Sequence, residues 1–226
     1  MKKIITGMLA LVFTVSLFAQ EVPVEQKKAN AKSPMYYQKM GESLAQFAQC
    51  KTVEDFNTLS NQFMVIANVE KEEWLPLYYA AHCKIIMAFV ETDKDKKDAY
   101  LDGTDKWFEQ MEVLAPAESE ISALKAMYYT AKLTVDPMTR GQEYSMLSNQ
   151  AAGKALGLNA ENPRAKYILL ANKIGFAQFF GKDITVECGE AAELLKIWDE
   201  YTLESPLHPR WGKDRIVGIV KSCEKK

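Results

Sequence analysis

The side chains that most often carry catalysis or bind metals are scarce in this chain of 226 residues. It has only two histidines, His82 and His208, and they lie far apart in the sequence. The sequence therefore has too few histidines for a zinc site built from several of them, and few candidates for the base of a catalytic triad. Glycine-rich phosphate-binding and dinucleotide-binding motifs and the His-Glu-x-x-His motif are also absent from the sequence. The sequence therefore predicts no catalytic residues and a protein that is not an enzyme.

Two features that resemble metal sites have simpler explanations. His82 falls on the apolar face of a predicted helix, which is typical of a core histidine. Asp93, Asp95 and Asp98 are close enough to suggest a calcium loop, but lysines separate them and the segment has no glycine at a tight bend. This segment is predicted to be a solvated turn. We expect neither a metal nor a cofactor.

The four cysteines offer one plausible disulfide. Cys188 and Cys223 each lie on the apolar stripe of a predicted helix, at similar distances from the turn between the two helices. An antiparallel helix pair would bring both residues to the same end, since each residue advances the helix by 1.5 Å. The alternative is a pair of buried free thiols. Cys50 ends one predicted helix and Cys83 lies in the middle of another, so no bond is expected between them.

Apolar residues recur at helical spacing along the chain, and no segment shows sustained strand alternation. The sequence predicts an all-α fold of about nine helices that pair as antiparallel hairpins. Helix starts are predicted at Ser33-Pro34, at Thr52 and at Asn162-Pro163. Ser33 and Asn162 are capping residues followed directly by proline, and Thr52 is a capping residue with the acidic Asp55 three positions later. Asp136-Pro137 is predicted to break a helix, with the next helix capped at Thr139.

The clearest hairpin is predicted for residues 74–116, and similar units follow it. These units end near Pro116, Asn159–Pro163 and Pro206, a spacing of about 43–47 residues. Each hairpin would bury its remaining apolar face by stacking on the next one. The alternative is an irregular helical bundle in which the spacing has no meaning.

Four short stretches carry a resemblance to a known group: WLPLYYAA at 74–81, VDPMTRG at 135–141, NPR at 162–164 and PRWG at 209–212. They resemble small secreted tetratricopeptide-repeat-like proteins of Bacteroidetes-type bacteria. The resemblance covers most of the chain and implies a superhelix of helical hairpins and an exported location. It implies no particular functional residues.

Residues 1–20 have the form of a cleavable signal peptide. Lys2 and Lys3 precede an apolar run at 4–18, and the small residue Ala19 lies next to the expected cut. An uncleaved anchor is the alternative, but the run is shorter than the ~20 apolar residues that span a membrane. The first cysteine is Cys50, so a lipid anchor at the cut is not expected. We expect a flexible leader at 21–33, a single domain at 34–226, and a periplasmic or secreted protein with no membrane span after cleavage.

The formal net charge of −2 indicates no nucleic-acid partner. Arg140, Arg164 and Arg210 lie at helix or loop starts and are expected to pair with acidic neighbours, with an anion-binding role as the alternative. On helical repeats the inner helices line a concave binding surface. The residues predicted to face it are Tyr79, Lys125, Tyr129, Lys132, Asn172 and Lys173.

These features lead to two hypotheses about function. The first is an exported, non-enzymatic binding or scaffold protein that holds an unknown protein or peptide on its repeat surface. The second is a periplasmic binder of a small ligand, held in a pocket between helices. An open groove would favour the first, and an enclosed apolar pocket with convergent polar groups would favour the second.

Overall fold

The computed structural model describes residues 33–224, and the regular elements in that range are all α-helices, which confirms the all-α prediction. The predicted signal peptide and most of the predicted leader lie outside the described residues. No helix between residues 33 and 224 has the length and apolar character needed to cross a membrane. The ten helices of this range are α1 Pro34–Phe47, α2 Val53–Val69, α3 Trp74–Val90, α4 Lys94–Leu101, α5 Thr104–Leu114, α6 Ser119–Val135, α7 Pro137–Leu158, α8 Pro163–Phe179, α9 Thr185–Glu200 and α10 Lys213–Cys223.

Three predicted helix starts are confirmed. The hydroxyl of Ser33 accepts a hydrogen bond from the backbone N–H of Tyr36, with Pro34 as the first residue of α1. Thr52 opens α2 through a reciprocal capping box with Asp55. Asn162 caps α8 by accepting from two backbone N–H groups of its first turn. Side-chain acceptors at these positions satisfy N–H groups that have no partner inside the helix.

Two predicted boundaries are wrong. The segment predicted as a charged turn forms most of the short helix α4, which Asp93 caps by accepting from the backbone N–H of Lys96. Gly103, with a φ of 76°, then separates α4 from α5. Helix α7 is capped by Asp136 rather than by Thr139, and begins at Pro137. Aspartate followed by proline is a strong helix start, so the residue pair that ends α6 also begins α7.

Helix α3 lies at the centre of the N-terminal part of the core. It packs against α2, α4, α5 and α6, and its side chains are buried on most sides. The predicted hairpin at 74–116 therefore contains the most buried helix of this region, as its all-round apolar character indicates. Burial of α3 extends to His82, whose ring stacks on Phe47 with the ring centroids 5.1 Å apart.

Small side chains bring α6, α7 and α8 close together. Ala126, Ala152, Ala155 and Ala165 are fully buried between these three helices. Alanine leaves room for neighbouring backbones to approach, so the helices pack closely along their length.

The loop between α9 and α10 folds back onto α3. The hydroxyl of Tyr79 donates to the carbonyl oxygen of Leu207 at 2.7 Å. The indole N–H of Trp211 donates to the hydroxyl of Tyr78, also at 2.7 Å. Gly212 follows with a φ of 105°, and a side chain at this position would overlap the ring of Trp198. The C-terminal helices are thereby joined to the centre of the N-terminal core.

An ion pair buried in the interior links the first turns of α6 and α8. The guanidinium of Arg164 donates to both carboxylate oxygens of Glu120, at 2.5 and 2.7 Å, and the two side chains are only 1% and 2% exposed. The amide of Asn162 donates to Glu120 at 2.8 Å and to the hydroxyl of Ser119 at 2.9 Å. The ring of Tyr201 covers the guanidinium, whose central carbon lies 5.4 Å from the ring centroid. Burial raises the pKa of Glu120, and the hydrogen bonds from Arg164 oppose that shift.

A disulfide joins α9 to α10. It links Cys188 to Cys223, whose Cα atoms are 5.9 Å apart and which are separated by 35 residues of sequence. Cys50 and Cys83 are unbonded. Because α10 has Ile216 as its one buried residue, the bond supplies much of what holds this last helix in place.

Replacing Arg164 with alanine should lower the free energy of unfolding by about 3–5 kcal/mol, because it leaves the Glu120 carboxylate buried without its cation. The matched control is Arg140→Ala, which removes a bidentate pair with the partly exposed Asp98 and should cost about 1 kcal/mol. Urea unfolding followed by circular dichroism measures both. Equal losses for the two variants would contradict the importance of the buried pair.

Replacing Cys188 and Cys223 together with serine should lower the free energy of unfolding by about 3–4 kcal/mol, because the unfolded chain regains the entropy of a loop of 35 residues. Cys50→Ser, at an unbonded and partly exposed thiol, should cost about 1 kcal/mol or less and serves as the control. Mass spectrometry of the non-reduced protein after alkylation provides an independent check. Alkylation of both Cys188 and Cys223 under those conditions would rule the bond out.

Candidate functional site

A groove of about 950 Å³ opens between α7, α8 and α9. We call it the α7–α9 groove. Its apolar lining comes from α8 and consists of Leu169, Leu170, Phe176 and Ala177. Its polar lining consists of Ser145, Asn149, Lys166, Asn172, Lys173, Lys182, Asp183, Glu187 and Glu190. An apolar surface bordered by hydrogen-bonding and charged groups is the usual composition of a ligand site.

An exposed aromatic cluster adjoins this groove at the end of α8. It consists of Phe176, Phe179 and Phe180, which are 57%, 61% and 57% exposed. The ring centroids of Phe176 and Phe180 are 4.7 Å apart, and those of Phe179 and Phe180 are 5.1 Å apart. Single exposed apolar residues are common, but three large rings in contact on one surface indicate a place where another molecule binds.

Positive and negative side chains are balanced in the lining, with three of each. The ammonium of Lys173 lies 2.8 Å from both carboxylate oxygens of Glu190, which connects α8 to α9. Lys182 lies over the ring of Phe176, with its nitrogen 5.2 Å from the ring centroid. A negatively charged ligand would therefore contact individual lysines rather than enter a uniformly positive field.

A hydrogen-bond network sets the position of α8 beside the groove. The amide of Asn172 donates to the hydroxyl of Ser148 and to the amide oxygen of Asn149, both at 2.9 Å. Its oxygen accepts from the hydroxyl of Thr130 at 3.3 Å. Ser148 is fully buried and also donates to the backbone of α6 at Ala126. The polar side of the groove is thus built on a fixed framework that joins α6, α7 and α8.

The structure brings together only two of the residues that were predicted to face a binding surface. Asn172 and Lys173 both line the α7–α9 groove. Tyr79 does not lie on an open face, because it is only 5% exposed and its hydroxyl is used by the backbone of Leu207. An aromatic residue on a helix that is apolar all round is core by default, and burial raises its pKa.

The other predicted surface residues lie on α6, away from the groove lining. Lys125 pairs with Glu112 of α5 at 3.2 Å, and Lys132 pairs with Asp98 of α4 at 3.5 Å. Tyr129 is partly buried, with its ring centroid 6.3 Å from that of Tyr144. The two lysines therefore hold α4 and α5 onto α6, a role that the periodicity of α6 alone does not distinguish from ligand binding.

The structure agrees with three simpler expectations. His82 lies in the core, where burial lowers its pKa to about 3 and keeps the imidazole neutral. Arg140 and Arg164 form pairs with acidic residues, as their positions at helix starts predicted.

The residues that the sequence analysis missed are the aromatic cluster and Lys166, Lys182, Glu187 and Glu190. A signal for the aromatic cluster was present. Apolar residues at helical spacing on α8 run through Tyr167, Leu170, Ile174 and Ala177. Phe176, Phe179 and Phe180 fall outside this stripe. Large apolar side chains off the buried stripe indicate a second contact surface.

No protein-family model matches the sequence, and comparison with curated proteins finds no match. Among solved structures, the chain is similar to the HusA haemophore from Porphyromonas gingivalis, with a TM-score of 0.74 and 26% sequence identity. The similarity covers 86% of this chain and 96% of that chain. The chain therefore has the fold of a helical protein from a Bacteroidetes bacterium over nearly the whole length of that protein. A haemophore is a binding protein, which agrees with the expectation of a non-enzymatic binding function.

Proposed function

We propose that this protein is an exported haem-binding carrier that holds haem, or a closely related porphyrin, in the α7–α9 groove. The observation that carries the proposal is the similarity to a haemophore over nearly the full length of both chains. The groove supplies a site of suitable size and chemistry, since small-ligand pockets occupy about 300–1,000 Å³. The groove is open, which taken alone would favour a protein or peptide partner, so the similarity to a haemophore is what favours the small-ligand hypothesis.

The apolar part of the groove suits the flat face of a porphyrin. Phe176 lies in the lining, with much of its ring open to solvent and the rest of the aromatic cluster beside it. Leu169 and Ala177 extend the apolar surface along α8. Stacking a macrocycle on Phe176 would remove apolar area of both partners from water, which is worth about 1.5–3 kcal/mol for a large side chain.

The lysines suit the carboxylates at one edge of haem. Lys182 lies over the ring of Phe176 and would move aside for a porphyrin that stacks on that face, which would leave its ammonium within reach of the propionate groups. Lys173 is paired with Glu190 in the structure and would exchange part of that pairing for a propionate. Charge-assisted hydrogen bonds of this kind orient a ligand as well as attract it.

The lining does not supply a usual iron ligand. Among the described residues that line the groove there is no histidine, cysteine, methionine or tyrosine, the side chains that commonly bind haem iron. The proposed contacts are therefore with the faces of the porphyrin ring and with the propionate groups of haem. Haem is the cargo in this proposal and not a resident cofactor of the protein.

An exported location completes the proposal. A signal peptide at residues 1–20 would deliver the chain to the periplasm or outside the cell. The bond between Cys188 and Cys223 suits an oxidising compartment, where disulfides persist. It also fixes α9, one wall of the groove, to α10.

Phe176→Ala should weaken haem binding by about tenfold or more, because it removes the proposed stacking surface. The matched control is Phe89→Ala, at a partly exposed phenylalanine of α3, which should bind haem like the parent protein. Absorbance titrations with haemin and with metal-free protoporphyrin IX measure the affinities, and Phe176→Ala should weaken both by a similar factor. Absence of saturable haem binding by the parent protein would overturn the proposed function. Unchanged affinity of Phe176→Ala for haem would show that haem does not bind in the α7–α9 groove.

Replacing Lys173 and Lys182 together with glutamine should weaken haem binding by about tenfold, since each solvent-exposed charge pair contributes up to about 1 kcal/mol. Lys196→Gln, at an exposed lysine of α9 outside the lining, is the control. The dimethyl ester of protoporphyrin IX lacks the propionate charges and should bind the parent protein and the double variant equally. A loss of affinity for the ester as large as that for the free acid would show that the lysines do not act through the propionates.

A further inference from the structure

Three side chains with metal-binding atoms converge where the loop between α9 and α10 meets the start of α6. They are Glu118, which caps α6, and Glu204 and His208 from the loop. One ligand atom from each lies within 4.8 Å of the others. None of the three lines the α7–α9 groove, so this corner is independent of the proposed haem site.

The distances in this corner do not suit direct hydrogen bonds. The Nε2 atom of His208 lies 3.7 Å from Oε2 of Glu118 and 3.4 Å from Oε2 of Glu204, longer than the usual 2.7–3.2 Å. Nε2 is buried and has no hydrogen-bond partner. Two ligands bound tetrahedrally to zinc at about 2.0–2.1 Å are about 3.3 Å apart. The two distances from Nε2 are therefore close to the spacing of ligands around one small ion, and one ligand atom from each of the three residues lies within 4.8 Å of the others.

The remaining atoms of two of these side chains are already engaged, which orients the free ones inward. The Nδ1 atom of His208 lies 2.7 Å from the hydroxyl oxygen of Ser205. Oε1 of Glu118 accepts from the backbone N–H of Glu120 at 2.9 Å, so Oε2 faces the histidine. Hydrogen bonds to the non-ligating atoms commonly fix the orientation of metal ligands.

We propose that Glu118, Glu204 and His208 form a binding site for a divalent transition-metal ion of the Zn²⁺ class, with water as the fourth ligand. A nitrogen and two carboxylates suit Zn²⁺ better than Ca²⁺ or Mg²⁺, which prefer sites made of oxygen alone. Glu118 and His208 are each only 14% exposed, whereas Glu204 is 70% exposed. Oε2 of Glu204 already lies 3.4 Å from Nε2 of His208, so Glu204 forms the side of the site that faces solvent.

The bound ion tethers the loop between α9 and α10 to α6. The same loop carries Leu207 and Trp211, which hydrogen-bond to the two central tyrosines of α3. Binding thus stabilises the connection between the C-terminal helices and the N-terminal core. Because the ion binds only the folded chain, its contribution to stability grows with its concentration.

Isothermal titration of the tag-free protein with ZnCl₂, in a buffer that does not chelate metals, tests the site. We expect one Zn²⁺ per chain. Glu204→Gln should weaken the affinity by about tenfold and His208→Gln by about a hundredfold, since each removes a ligand. Glu109→Gln, at an exposed glutamate of α5, is the control and should bind like the parent protein. Glu204 is mostly exposed, so this variant should fold normally even if substitution of His208 disturbs the loop.

Two further measurements separate this site from general metal binding. Thermal unfolding should shift upward by roughly 5 °C at a Zn²⁺ concentration a hundredfold above the dissociation constant, and the shift should shrink in Glu204→Gln. Co²⁺ should give visible absorption bands that are lost in His208→Gln. No saturable Zn²⁺ binding, or equal affinity in the parent protein and Glu204→Gln, would overturn the proposal and leave the corner as a cluster of charged side chains only.

Discussion

Arg164 and Glu120 form an ion pair in the interior, where hydrogen bonds replace much of the water that each buried charge has lost. Asn162 adds to these bonds by donating to Glu120 while its oxygen caps α8, and Nη1 of Arg164 is left without a hydrogen-bond partner. The first turns of α6 and α8 are therefore joined at one point. Helix α7 connects α6 to α8, so the packing of all three helices depends on this contact. The contact also determines which side of α8 faces the groove.

The proposed carrier site follows from that arrangement. One side of α8 is buried against α6, α7 and α9, where alanines and the Asn172 network leave little freedom. The other side keeps Phe176 and its neighbours open to solvent, with Lys173 and Lys182 beside them. A rigid framework with an open apolar face suits a protein that must bind a flat ligand and later release it.

Local signals in the sequence were sufficient where a structure depends on neighbouring residues. The capped starts at Ser33, Thr52 and Asn162 could be predicted because a cap and the backbone N–H groups that donate to it lie within one turn. The same reasoning failed at α7, where two adjacent capping signals competed and the earlier one, at Asp136, prevailed. The binding residues could not be predicted in this way. Periodicity shows which residues share a helix face, but not whether that face meets solvent or, as at Lys125, another helix.

The sequence by itself determined the helical class, the capped starts of α1, α2 and α8 and the scarcity of catalytic groups, because these depend on residue types and short spacings. Only the tertiary structure decided which residues from distant segments meet. It placed Arg164 against Glu120, Trp211 against Tyr78, and the aromatic cluster beside the groove lysines. These contacts join residues far apart in the chain, and their partners are set by the order in which the helices stack. A binding site of this kind therefore becomes visible only once the helices are packed.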